Sequence, residues 1–165
     1  MSEQALIDGL KFASEARRLV GELALAAMPR LQDIIFEPSG RVHYALTGVT
    51  DRHGHPVIEV SVRGTIPLEC QRCLERLDYE LDRRSRLVLV AQGAQLPDVA
   101  EEDPDTEAIP AAAVANVADL IEQEVLLGLP LVPVHDQPCI AAPKPDERKI
   151  ESPFAILRTL QQKQD

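Results

Sequence analysis

The sequence predicts an α+β fold in which an antiparallel β-meander, or a small partly open barrel, packs against one long and several short helices. Between residues 42 and 90, apolar residues recur at every second position, as in half-buried strands. Between residues 114 and 128 they recur at helical spacing instead. The chain has 165 residues, of which 45% are hydrophobic and only 3% aromatic, so we expect one mainly aliphatic core.

The first forty residues predict little regular structure. Residues 5–20 are typical of a short helical or irregular arm, and residues 22–28 fit a helix or a strand equally well. Pro29 suits the first turn of a helix, which predicts a short helix over Pro29–Ile35.

Three strands are predicted next, over residues 42–47, 58–66 and 77–90. Residues 51–56 form a turn by composition. Sequential strands with short connections pair as an antiparallel meander. Continuing the alternation of the second strand places Leu68 and Cys70 on its core-facing side.

The remaining segments differ in composition. Residues 92–113 are acidic and rich in Pro, Asp and Ala, which predicts a long loop. A helix follows over about 114–128, and Gly128-Leu129-Pro130 ends it. We expect residues 1–137 to form one domain and residues 138–165 to form a flexible linker with a short C-terminal helix that begins at Ser152.

Charge separates the two halves of the chain. Residues 1–90 carry 12 Lys and Arg against 13 Asp and Glu, whereas residues 91–165 carry 5 Lys and Arg against 14 Asp and Glu. The net charge of the whole chain is −10. The chain therefore lacks the overall basic surface that supplies non-specific affinity for nucleic acids. One local group of arginines is a candidate surface for RNA or a protein partner: Arg72, Arg76, Arg83, Arg84 and Arg86.

The segment Leu68–Leu74, which we call the knuckle, contains a C-x-x-C pair, Cys70 and Cys73, between two predicted strands. A redox C-x-x-C needs a helix start to stabilise its thiolate, and here the pair follows a strand. Two thiolates at a hairpin tip can instead bind zinc if two more ligands arrive, and His135 and Cys139 are the candidates. The alternative is that the cysteines are buried or reduced surface residues.

No catalytic motif accompanies these residues, which favours a protein that is not an enzyme. Three cysteines and no secretory leader favour the reducing cytoplasm, and no apolar run is long enough to span a membrane.

Glu124 falls in the middle of the apolar face of the predicted long helix. A carboxylate that faces the core needs a partner, because burying it unpaired costs several kcal/mol. We predict a hydrogen-bonded or ionic contact with an arginine, with Arg72 and Arg76 by the knuckle as the preferred partners. The alternative is that the helix lies at an edge and Glu124 reaches water.

Three separated blocks resemble the YceD-like large ribosomal RNA subunit accumulation proteins. They are the knuckle, the segment Asp119–Asp136 with its L-P-L-V-P-V-H-D end, and Ser152–Leu157. The resemblance implies a non-enzymatic bacterial ribosome biogenesis factor that supports synthesis, processing or stability of large-subunit (23S) ribosomal RNA. Some similar proteins are richer in cysteine after the L-P-x-x-P block, whereas this chain keeps only His135 and Cys139 there.

Two hypotheses remain for the partner. In the first, the arginines near the knuckle contact large-subunit precursor RNA. In the second, the chain is an acidic adaptor or chaperone for a basic ribosomal protein and affects RNA indirectly. Neither hypothesis involves a membrane or a small-molecule substrate.

Overall fold

The computed structural model describes residues 5–91, 105–111 and 115–139. The strands and helices in these ranges all belong to one compact unit, Met1–His135. The predicted linker and C-terminal helix lie outside the described residues, apart from Pro138 and Cys139, so that part of the domain organisation stays a prediction. None of the described helices is long and apolar enough to cross a membrane.

Seven strands and two helices are present in the described ranges: β1 (Leu6–Ile7), α1 (Gly9–Ser14), β2 (Arg18–Ala24), β3 (Arg41–Thr50), β4 (Pro56–Glu69), β5 (Arg76–Val90), β6 (Thr106–Pro110), β7 (Ala115–Asn116) and α2 (Val117–Gly128). Two short 3₁₀ helices, Leu25–Ala27 and Pro29–Leu31, connect β2 to β3. The predicted α+β class is confirmed.

The main sheet has the order β2-β3-β4-β5-β6. The strands from β2 to β5 are antiparallel neighbours, which confirms the predicted meander and extends it by β2. β6 pairs parallel to β5, and β1 pairs with β7 in a separate two-stranded sheet. Within the described residues the main sheet is open and does not close into a barrel.

Alternation along the strands gives the main sheet one buried and one solvated face. On β4, Ile58, Val60, Val62 and Ile66 are buried, whereas Glu59, Arg63, Thr65 and Glu69 are exposed. Both helices cover the buried face, since Phe12 from α1 and Ile121 and Val125 from α2 join the same hydrophobic core. The core is aliphatic apart from Phe12, as the composition predicts.

The two helices begin at side-chain caps. Asp8 accepts a hydrogen bond from the Lys11 amide at 3.0 Å, and Asn116 accepts one from the Ala118 amide at 3.0 Å. Each cap satisfies an amide that has no partner within the helix. These caps fix where the first residues of α1 and α2 meet the sheet.

Three predictions need correction. The arm over 5–20 is more ordered than predicted, because its end, from Arg18, forms an edge strand with β3. The prediction of a loop over 92–113 is wrong for residues 106–110, because these residues form β6 and pair with β5. The predicted helix over about 114–128 begins at Val117, since β7 occupies the two residues before it.

Candidate metal centre

The knuckle connects β4 to β5 in a tight turn. Glu69 and Arg76 form the last strand pair, and between them the Cys70 amide donates to the Glu75 carbonyl at 3.0 Å. The Leu74 amide donates to the Cys70 carbonyl at 2.9 Å. Leu74 has a φ of +61°, in the left-handed region that a bulky side chain seldom adopts. This conformation reverses the chain directly after the second cysteine.

The turn makes the Cys70 sulfur a good anion site. Burial alone would raise the pKa of the Cys70 thiol, but hydrogen bonds from the backbone of Cys73, Arg72 and His135 and from the Cys73 side chain outweigh it, and the pKa falls to about 5. A thiolate is the form of cysteine that binds metal. The knuckle therefore prepares Cys70 as a ligand.

The segment after α2 brings His135 to the knuckle. The Gln71 amide donates to the Pro133 carbonyl at 2.9 Å, and the Arg72 guanidinium donates to the His135 carbonyl. The imidazole Nε2 lies 3.1 Å from the Arg76 carbonyl oxygen, which can only accept a hydrogen bond. Nε2 is therefore the donor of this hydrogen bond, and Nδ1 faces the Cys73 sulfur at 3.5 Å.

The ligand atoms of Cys70, Cys73 and His135 all lie within 4.8 Å of one another. Zinc–sulfur bonds of about 2.3 Å in a tetrahedral site place neighbouring ligand atoms about 3.7 Å apart. No separation between these ligand atoms exceeds the zinc value by more than about 1 Å. The separation of 3.5 Å between the Cys73 sulfur and His135 Nδ1 is close to it. Metal-bound histidines typically donate their second ring N–H to a carbonyl, as His135 does here. These three residues could bind a metal, and Cys139, which belongs to the second unit, Asp136–Asp165, stays the predicted fourth ligand.

The five arginines of the predicted surface do not form one patch. Arg83 points to the α2 side of the sheet, whereas Arg84 and Arg86 lie on β5 with the opposite parity. All five lie beside acidic side chains or donate to a carbonyl: Arg72 donates to His135, and the ion pairs are Arg76 with Asp78 and Glu37, Arg83 with Glu124 and Asp105, Arg84 with Asp82, and Arg86 with Glu59. These acidic neighbours partly offset the positive charge of the arginines.

Glu124 is 2% exposed, and its carboxylate lies 3.4 Å from Nε of Arg83. The predicted partner, Arg72 or Arg76, is wrong. Arg83 is closer because its side chain lies on the face of β5 that packs against α2. Arg72 lies in the knuckle before β5, and Arg76 is the first residue of the strand.

A second buried carboxylate, Glu122, escaped the sequence analysis. It is 3% exposed and accepts from the Arg30 amide at 2.6 Å and from the Arg30 Nε at 3.0 Å. At 100° per residue, Glu122 falls at the margin of the apolar face of α2. The 3₁₀ helix Pro29–Leu31 buries it, and a contact between positions 30 and 122 leaves no signal in a single sequence.

Comparisons with known proteins agree with the resemblance noted in the sequence. The family model described as "Large ribosomal RNA subunit accumulation protein YceD" matches residues 58–161. A Haemophilus influenzae protein described by the same words is 28% identical over 166 residues, which cover 95% of each chain. No solved structure gives a significant match.

Proposed function

Because the chain belongs to the YceD family of large ribosomal RNA subunit accumulation proteins, we propose that it is a non-enzymatic factor that supports synthesis, processing or stability of 23S ribosomal RNA in the cytoplasm. The family match carries the proposal, since residues 58–161 include the knuckle and the segment after α2. The predicted Cys₃His set also favours a structural role, because four protein ligands would leave no open position for a substrate.

The proposal predicts a change in ribosomal RNA when the chain is removed from the organism that makes it. We expect the ratio of 23S to 16S RNA, measured by electrophoresis of total RNA, to fall on depletion and to recover when the wild-type chain is restored. We expect 23S RNA alone to fall, because the proposed factor acts on large-subunit RNA and not on 16S RNA. An unchanged ratio after complete depletion would contradict the proposed function.

We further propose that Cys70, Cys73, His135 and Cys139 hold one structural zinc ion. Zinc would fasten the segment after α2 to the hairpin of β4 and β5, whose strands carry much of the core. The donors fit zinc because imidazole and thiolate are its usual protein ligands. Its binding free energy would add to the folding free energy.

Elemental analysis of the purified, untagged chain tests the zinc site. We expect about one zinc ion per chain in the wild type and a large loss of zinc in Cys70→Ser and Cys139→Ser, because each removes one of four ligands. His43→Ala is the matched control, since His43 lies on β3 beside Glu22 and should leave the zinc content unchanged. Zinc-free wild-type protein, or full zinc content in both serine variants, would rule out this site.

A further inference from the structure

The segment Leu131–Val134, which we call the apolar strip, presents aliphatic side chains to solvent. Leu131 is 101% exposed and Val132 is 63% exposed, and Val134 is also exposed. Single exposed apolar residues are common on protein surfaces, whereas consecutive ones are rare without a binding role. The apolar strip follows α2 directly and ends at His135.

Four features constrain the backbone of the apolar strip. Pro130 and Pro133 disfavour helical geometry for the residues before them. The Pro133 carbonyl accepts from the Gln71 amide, and His135 bonds to the Arg76 carbonyl. A segment fixed in this way loses little conformational entropy when it binds a partner, so its exposed side chains are pre-organised for contact.

A pocket of about 290 Å³ adjoins the apolar strip. Leu131 and Pro133 form one wall of this pocket, and its other apolar lining comes from Ile34, Ile35, Leu68, Leu129 and Pro130. Two exposed carboxylates, those of Asp33 and Glu69, also line it. Within the described part of the chain, neither carboxylate has a hydrogen bond or an ion pair.

We propose that the apolar strip and this pocket bind a cationic segment of a protein partner, with an aliphatic side chain in the pocket and lysine or arginine beside Asp33 and Glu69. This inference rests on the proposed function, to which it adds a partner of stated chemistry. Unpaired carboxylates attract cations and repel phosphates, and aliphatic side chains lack the flat rings on which unpaired bases stack. The surface is therefore suited to a basic polypeptide and not to RNA.

Fluorescence anisotropy with labelled decapeptides tests the surface. The probe alternates lysine and leucine, and a matched peptide alternates lysine and serine. We expect the wild-type chain to prefer the leucine probe. Leu131→Ser combined with Val132→Ser should weaken its binding at least about tenfold, as loss of central apolar contacts does in other interfaces. Asp33→Asn combined with Glu69→Gln should weaken binding and reduce its dependence on salt.

Two control variants separate this surface from general exposure and charge. Val20→Ser replaces an apolar residue that is 60% exposed on β2, and Glu15→Gln removes a charge from the end of α1. Both should bind the leucine probe as the wild type does. All the substituted side chains are exposed, so circular dichroism should show the same fold throughout.

Three results would overturn the inference. The strip variant could bind the leucine probe as tightly as the wild type, the serine peptide could bind as tightly as the leucine probe, or the strip variant could lose binding to a 23S RNA fragment instead. Measuring the ratio of 23S to 16S RNA with the same variants separates the two proposals. The ratio could fall on depletion and be restored by the variant with Leu131→Ser and Val132→Ser, while that variant still binds the leucine probe as the wild type does. This result would contradict only the proposed binding surface. The ratio could instead stay unchanged on depletion while peptide binding depends on the apolar strip. This result would contradict only the proposed function.

Discussion

Glu122→Ala is expected to lower the free energy of unfolding by about 3 kcal/mol, measured by urea denaturation. The Glu122 carboxylate satisfies both the backbone amide and the guanidinium of Arg30 and is 3% exposed. Removing one partner of a buried pair typically costs about 3–5 kcal/mol. We expect the lower end, because the Arg30 side chain is half-exposed and regains water when its partner is lost.

A double-mutant cycle distinguishes this pair from general damage to α2. If Arg30 and Glu122 stabilise the fold through each other, the double alanine variant should lose clearly less than the sum of the two single losses. Glu59→Ala is the matched control, since its exposed pair with Arg86 at 3.6 Å should contribute less than about 1 kcal/mol. Additive losses for Arg30 and Glu122 would show that their contact does not stabilise the fold.

Gly48→Ala is expected to destabilise the chain by about 3 kcal/mol or to prevent folding. A Cβ at this position on β3 would lie 2.3 Å from the Phe12 carbonyl oxygen and 2.7 Å from the Ala13 Cα. Both are backbone atoms of α1, so no side chain can rotate to relieve the clash. Overpacking a core usually costs about 1–3 kcal/mol, and a clash with backbone belongs at the upper end of this range. Urea denaturation and circular dichroism measure the effect.

Gly54→Asn is the comparison that isolates the steric cause. Gly54 lies in the turn before β4 with a φ of +85°, and no atom lies within 4 Å of where its Cβ would be. Asparagine tolerates left-handed geometry better than most residues, so we expect a loss below about 1 kcal/mol. Equal losses at positions 48 and 54 would mean that close approach of α1 to the sheet does not explain the glycine at position 48.

The sequence predicted those parts of the fold that local patterns encode. Period-two alternation identified β3, β4 and β5, and the fixed parity of β4 placed Cys70 on the buried side. It did not identify β2 or β6, whose strand character depends on pairing with a neighbour already in place. Their own residues alternate too weakly to distinguish a strand from a loop or a short helix.

The candidate site shows the same limit. Residue chemistry predicted Cys70, Cys73, His135 and Cys139 as one ligand set, because cysteine and histidine spacing is a direct signal. The ligand atoms of the first three lie within 4.8 Å of one another, and their binding of a metal stays a proposal. The choice of Arg72 or Arg76 as the partner of Glu124 was wrong. Alternation along β5 already puts Arg83 on the same face as Leu81 and Leu87, but the position along β5 at which α2 packs is set by tertiary contacts. Glu122 could not be identified either, since its partner is distant in sequence.

The small sheet of β1 and β7 has a consequence for the order of events during folding. Leu6 pairs with Asn116, so strands at opposite ends of the compact unit meet directly before α2. The β-hairpins from β2 to β5 join strands close in sequence and can form while the chain is still being synthesised, whereas the pairing of β1 must wait for β7. Until the helix residues beginning at Val117 emerge, part of the buried sheet face has no cover. Completion of this domain is therefore a late, long-range step, and the growing chain exposes apolar surface until it occurs.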